Sequence, residues 1–227
     1  MNILEYAVIK KKLGGSGGGA IMECFGSPVD KHYPILGIRN LAIRLVDVTR
    51  VGEEAFCPCE ELVYVDLPLA QYIGRSSFEG CRKLKKVDAV SAISIGESAF
   101  INCRALTEVN LPNATNIGGD AFNGCTVLTK IDLPMATNIG VGAFFLCTNL
   151  EALILRTTET VCAIDPIAFV LDTDDDGMPT QFLNVYVPTS MFEYYREAYE
   201  PAFEEYGFAG YFDVLFHKIE EHPEICG

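Results

Sequence analysis

The chain repeats itself every 22 residues. Phe56, Phe78, Phe100, Phe122 and Phe144 fall on one period, and so do Cys59, Cys81, Cys103, Cys125 and Cys147. Leu62, Leu84, Leu106, Leu128 and Leu150 follow three residues after each cysteine, and then come Val65, Val87, Val109, Ile131 and Leu153. Ala70, Ala92, Ala114 and Ala136 recur, as do the pairs Ile73-Gly74, Ile95-Gly96, Ile117-Gly118 and Ile139-Gly140. The unit reads I-G-x-x-A-F-x-x-C-x-x-L-x-x-V-x-L-P-x-A-T-x. A period of about 20 to 30 residues means a solenoid in which each unit is one coil.

The spacing sets the shape of the coil. V-x-L has the alternation of a short strand with one buried face. Pro68, Pro112 and Pro134 end that strand, because proline has no N–H to give to a ladder. The I-G step is expected to form a second short strand on the opposite wall, and A-F-x-x-C a helical or 3₁₀ turn between the two. Gly80, Asn102 and Gly124 share one column. Both residue types tolerate positive φ, so a left-handed backbone is expected there. Pro58 and Leu146 break the column, and their coils should differ locally. One coil alone cannot bury its apolar ring, whereas each buried side chain gains roughly 1.5–3 kcal/mol in a stack.

The repeat fades at both ends. Residues 40–51 hold a partial unit with Ile43, Leu45 and Val51-Gly52. Ile164 and Phe169 follow a three-residue insertion, and Val185-x-Val187-Pro188 follows a longer loop at 170–181. About seven strand positions are expected on one wall.

The four I-G-x-x-[AS]-F-x-x-C-x-x-L units from Ile73 to Leu150, with L-P after several strands, resemble the BspA-like leucine-rich repeats of bacteria and some protists. The ending V-Y-V-P-T-S-M-F-E-Y-Y (185–195) is similar to that family's final strand and closing helix. The resemblance covers about residues 40–200. It implies a right-handed leucine-rich-repeat solenoid of parallel strands that works as a recognition surface. Its relatives are mostly cell-surface or secreted adhesion proteins. They share no catalytic residues, so none is carried over.

The formal charge is −14, and residues 191–227 supply half of it, with nine Asp/Glu against two Lys/Arg. An acidic chain is a poor partner for nucleic acid or an anionic membrane. No apolar run approaches the roughly 18 residues of a membrane span. Residues 1–20 lack a signal-peptide core and cleavage site. The expected location is therefore cytoplasmic or phage-particle associated, against the habit of the relatives. A monomer without cofactor is favoured. Of the nine cysteines, five belong to the ladder and are expected as buried, reduced thiols. Cys57-Pro-Cys59 has the alternative of a metal or redox pair, with no histidine near it in sequence.

The ends divide as follows. Residues 1–13 are a short helix (2–12, with Leu4, Ala7, Val8 and Lys11 on one side) or a disordered segment. Residues 14–20 are a Gly/Ser linker, 21–39 an N-terminal cap over the first coil, 40–188 the solenoid and 189–227 a helical, acidic and aromatic C-terminal cap. The opening also resembles the apolar head and glycine run of phage-associated proteins from gut Firmicutes. Ser190-x-x-Glu193 has the capping-box pattern of a helix over 191–199, stopped by Pro201. Phe192, Tyr195, Tyr199, Phe203, Phe208, Phe212, Leu215 and Phe216 give the tail its apolar side.

Two places carry candidate chemistry. Asp172, Asp174 and Asp176, with Gly177, match the start of a calcium loop, but the twelfth position is Leu183. A solvated acidic loop is the plainer reading. On the exposed strand face, Tyr64, Lys86, Glu108 and Lys130 form one column, the last three alternating in sign, and Asp66, Asp88, Asn110 and Asp132 form a second. Ile154 and Tyr186 lie beyond them. Opposite charges side by side favour the register, and like charges oppose it. The face is suited to an unidentified protein or glycan, with a merely solvated wall as the bland alternative. A structural part in a phage-derived or surface assembly, docked through the N-terminal segment, is the other functional reading. The histidines, His32, His217 and His222, all lie outside the repeats, and no triad, metal or phosphate motif accompanies them. A non-enzymatic role follows.

Overall fold

A computed structural model describes residues 41–175, 178–205 and 212–226, together with the backbone of 10–13 and 20–24. The repeats form a parallel solenoid with two strand walls. The first wall contains Leu41–Leu45, Leu62–Asp66, Lys86–Asp88, Glu108–Asn110, Lys130–Asp132, Ala152–Ile154 and Val185–Val187. The second runs from Arg50–Val51 through Tyr72–Ile73, Ser94–Ile95, Asn116–Ile117 and Asn138–Ile139 to Ala163–Ile164, paired in parallel throughout. Where regular coils pair, both walls keep the 22-residue register: Val65 lies beside Val87, Val87 beside Val109, and Ile95 beside Ile117.

The first wall has a seam. Among the described residues no strand pairing joins Glu108–Asn110 to Lys130–Asp132. Val109 is only half-buried there, while Val65, Val87 and Ile131 in the same column are buried.

The periodic residues fill the space between the walls. The five phenylalanines stack face to face, with ring centroids 5.1, 5.2, 5.4 and 5.8 Å apart along the ladder. Cys81, Cys103, Cys125 and Cys147 each donate a thiol hydrogen to the carbonyl of the phenylalanine 25 positions earlier, at 3.0–3.3 Å. The cysteines whose side chains are described are unbridged. Burial pushes the thiols of Cys81, Cys103 and Cys125 well up, which disfavours the thiolate that metal binding or disulfide exchange would need.

The arch between the walls consists of hydrogen-bonded turns rather than helix in the regular coils. Gly80, Asn102 and Gly124 are left-handed, as their residue types require. Leu146 is left-handed too, at φ 58°, so the last coil keeps the shared geometry despite its residue. The reason is the ladder: the N–H groups of Gly80, Asn102, Gly124 and Leu146 each reach a carbonyl of the following coil at 2.7–2.9 Å. A second left-handed column, Glu54, Ser76, Ser98, Asp120 and Gly142, was not evident from the sequence. Beside it runs the fully buried column Ala55, Ser77, Ala99, Ala121 and Ala143. The Ser77 hydroxyl finds no hydrogen-bond partner among the described residues. Ser77→Ala should therefore stabilise the fold by about 1 kcal/mol, because it removes a desolvated hydroxyl and restores the residue of the neighbouring coils. Thermal unfolding should show a rise of roughly 2–4 °C, and an unchanged or lower midpoint would contradict the burial argument.

The ends differ from expectation in several ways. Lys10–Leu13 is a strand, not the end of a helix, and pairs antiparallel with Ala20–Cys24. Ala20–Cys24 lies parallel to Leu41–Leu45 and extends the first wall. Residues 1–9, the linker 14–19 and 25–40 lie outside the described residues. The expected loop at 170–181 is a hairpin, Val170–Thr173 with Pro179–Phe182.

The terminal helix, Phe192–Glu205, runs through Pro201 instead of stopping there. Tyr195, Tyr199 and Phe203, four residues apart, bury one face and hold the helix beyond the lost hydrogen bond. No capping box forms at Ser190. A short 3₁₀ turn, Thr189–Met191, leads in, and the Thr189 N–H and hydroxyl donate instead to Glu220 Oε2 at 3.0 and 2.7 Å. Phe169 meets Tyr199, Phe203 and Phe216 edge-on, so the stack of rings ends against the cap. Phe216–Lys218 adds an unforeseen parallel strand beside Val185–Val187. Phe208 lies outside the described residues.

Candidate functional site: the strand face

The outward side chains of the first wall form the columns expected from the repeat. Tyr64 lies beside Lys86 and Lys86 beside Glu108, while Asp66 lies beside Asp88 and Asp88 beside Asn110. Each acid in the crowded column has a partner. Arg44 Nε is 2.9 Å from Asp66. Tyr64 donates its hydroxyl to Asp88 Oδ2 at 2.8 Å, and Asn110 Nδ2 donates to the other oxygen at 3.3 Å. Lys86 lies between Glu108 and Asp88. Burial, with the hydrogen bond to Asp88, pushes the Tyr64 hydroxyl up, so it stays a donor. Burial also raises the Asp66 carboxyl, aided by the Asp88 charge and opposed by Arg44. These six predicted residues, Tyr64, Asp66, Lys86, Asp88, Glu108 and Asn110, make one contiguous patch that no described segment of the chain covers.

Past the seam the face is occupied. Lys130 does not continue the alternation with Glu108, because its ammonium donates to the Ile225 carbonyl. Asp132 is held by Arg156, which also donates to the Cys226 carbonyl at 2.6 Å. Ile154 is fully buried and Tyr186 only 5 % exposed, so neither is the open surface position that the sequence suggested. They form a small cluster of their own with Ala152 and Cys226, flanked by Ile219 and Ile225. The covering segment consists of Ile219–Glu221 and Pro223–Cys226. His217 and His222 pack on Tyr186, at 5.1 and 5.4 Å between ring centroids.

Sequence reasoning missed Arg44, Arg156 and this cover. The signal was present for the cover: the two outward columns turn from charged to apolar at Ala152, Ile154 and Tyr186. An outward apolar triplet on a strand wall calls for something on top of it.

Asp174 Oδ1 accepts from the Met178 N–H at 2.8 Å and Asp172 Oδ1 from the Thr173 N–H at 2.9 Å, so both carboxylates serve the hairpin turn. Leu183, at the twelfth position, is buried in the core, and Asp176 lies outside the described residues. Among the described residues no three His, Cys, Asp or Glu side chains gather as metal ligands. Cys57 is half-exposed, with its thiol raised by burial and by Glu79 and Glu54. A shallow cleft of about 390 Å³ at the far end of the second wall is lined by Asn138–Val141, Ala163–Asp165 and Tyr199. Its polar groups are already engaged: Tyr199 bonds Cys162 and Ile164, Asn138 donates to Asn116, and Asp165 accepts from Ile167. No helix among the described residues is long and apolar enough to cross a membrane.

The profile of the BspA type leucine rich repeat region matches residues 37–151, in six copies. The chain belongs to that family. Two solved structures resemble this BspA-type chain. One is the T. pallidum leucine rich repeat protein, at 29 % identity and TM-score 0.51, over 66 % of this chain and 69 % of that one. The other is a leucine-rich repeat protein from Bacteroides ovatus, at 26 % identity and TM-score 0.56, over 81 % of this chain. The BspA-type chain spans only 43 % of the length of the Bacteroides protein. No curated protein matches it. The family is generally one of surface recognition or adhesion.

Proposed function

We propose that this protein is a non-catalytic recognition solenoid, and that it binds a protein through the open part of its strand face. The observation that carries this reading is the ordered patch of Tyr64, Asp66, Lys86, Asp88, Glu108 and Asn110. Its side chains are fixed by one another and, at Asp66, by Arg44, so little rotamer freedom remains to be lost on binding. The same wall, past the seam, already holds polypeptide from its own chain. That favours protein over glycan as the partner.

The test is a charge swap. Lys86→Glu combined with Glu108→Lys keeps the ion pair between these two positions, gives up the second contact of Lys86 to Asp88, and inverts the sign of both positions seen by a partner. Full-length wild type and swap would be used as baits in cell-surface extracts, one treated with protease and one deglycosylated. The expected result is a partner held by the wild type, lost with the swap and lost on protease treatment. Loss on deglycosylation alone would assign a glycan ligand. Retention of the same partners by both baits would remove this face from the function. A third bait, residues 20–227, tests docking through the N-terminal segment, which would support the alternative role as an assembly component.

A further inference from the structure

The cover over the far half of the strand face is attached in an unusual way. Segment 219–226 contributes two helical turns of three and four residues, too short to be stable by themselves. Its apolar contact, Ile219, Ile225 and Cys226 on Ala152, Ile154 and Tyr186, is separate from the main core. Its polar anchors on the wall are Lys130 and Arg156, and both grip main-chain carbonyls, those of Ile225 and Cys226. A carbonyl is offered by every peptide, so this grip does not select the segment's own sequence. A further anchor is Glu220 on Thr189, whose hydroxyl and N–H help hold the Glu220 carboxyl below its usual range. Small satellite contacts of this kind open at a lower free energy than the core beneath them.

We propose that residues 219–226 are a built-in competitor, and that Lys130, Ala152, Ile154, Arg156 and Tyr186 form a peptide-binding surface that the segment keeps closed. The occupant of the opened surface is a short segment of a partner protein. It places two or three apolar side chains on Ile154 and Tyr186 and directs main-chain carbonyls at Lys130 and Arg156. Displacement would extend the recognition face across the seam, from Asn110 to Tyr186. The inference builds on the strand-face reading, and its test probes only the far half, whereas the Lys86/Glu108 swap probes only the near half.

The test uses the full chain. In Ile225→Arg a cation is set against Lys130 and Arg156, so the segment should lift. Cys226, now 2 % exposed, should then be alkylated at least about tenfold faster than in wild type, as expected when local opening controls access. A fluorescein-labelled synthetic peptide of residues 219–226 should bind Ile225→Arg at least about tenfold more tightly than wild type, where the closed state lowers the competent fraction. Adding Arg156→Ala to Ile225→Arg should abolish peptide binding. If Ile225→Arg loses its cooperative melt, Glu220→Ala, which removes only the Thr189 anchor, takes the same two readouts. The proposal is overturned if Cys226 reacts in wild type like an exposed thiol, if it stays protected in the variants, or if it becomes reactive and the peptide still does not bind.

Discussion

Phe100→Ala should lower the unfolding free energy by about 3–5 kcal/mol, the range for truncating a fully buried aromatic. Phe100 is the middle ring of the ladder, 5.2 Å from Phe78 and 5.4 Å from Phe122, with planes within 1° and 9° of parallel. The substitution removes buried apolar surface, breaks both ring contacts and leaves a void. The coils above and below are held at their spacing by backbone hydrogen bonds, Phe78 N–H to Ala99 O and Phe100 N–H to Ala121 O, both 2.8 Å. They cannot close onto the void without giving up those bonds. In a solenoid, stability is a sum of coil and interface terms, so a defect in the centre weakens two interfaces. Urea unfolding should show the loss as a lower midpoint. Phe100→Leu, which keeps much of the volume, should cost less than half as much. A loss under about 1 kcal/mol for Phe100→Ala would mean that the coils collapse freely and that the ladder is not a principal support.

The parts of this fold that the sequence disclosed are those in which one physical constraint recurs in every coil. Phe100 and Cys103 are legible because each has four counterparts in the same environment. The left-handed turn at Asn102 is legible because its counterparts are Gly80 and Gly124. The second left-handed column was hidden because its residues, Glu54, Ser76, Ser98, Asp120 and Gly142, share neither side-chain chemistry nor burial: Glu54 is exposed, Ser76 and Gly142 are buried. Leu146 misled for the opposite reason: its residue type argues against positive φ, but the coil-to-coil hydrogen bond to Leu171 O imposes it.

The ends were less legible because their structure is set by contacts remote in sequence. Pro201 marks a helix stop by local rules, and Tyr195, Tyr199 and Phe203 override it by packing. On the strand face, the columns through Asn110 followed from the period alone. Ile154 and Tyr186 were assigned to the open surface because their cover, Ile225 and Cys226, lies outside the repeat and reaches them by no periodic rule. Arg156 serves Asp132 and Cys226 at once, a bridge that only the assembled ends create.

Gly118→Ala should cost about 2–3 kcal/mol, at the upper end of what overpacking a tight contact does. The reason differs from that for the glycines of the arch. Gly118 has no left-handed backbone to protect. A methyl group there would lie 2.6 Å from Glu97 N and 2.7 Å from Gly96 C in the preceding coil. Both are backbone atoms, so no side chain can rotate out of the way. The two coils would have to part, stretching the 2.9 Å bond from Gly118 N–H to Ile95 O and the neighbouring pairing of Ile117 with Ile95. The same approach recurs at Gly74, Gly96 and Gly140, each with backbone at 2.6–2.7 Å. The invariant spacing of the second wall is thus set by four missing methyl groups. Gly124→Asn provides the contrast. Gly124 is left-handed at φ 74°, a conformation its counterpart Asn102 already adopts at φ 61°. The atom nearest to an added methyl there is Asn102 Oδ1, the tip of a side chain. That variant should lose less than about 1 kcal/mol, the cost of placing a tolerant residue in the left-handed region. Equal losses in the two variants would mean that backbone conformation, and not coil-to-coil approach, fixes both glycine columns. A larger loss at Gly118 assigns the spacing of the stack, and with it the pitch of the strand face, to contact between successive backbones.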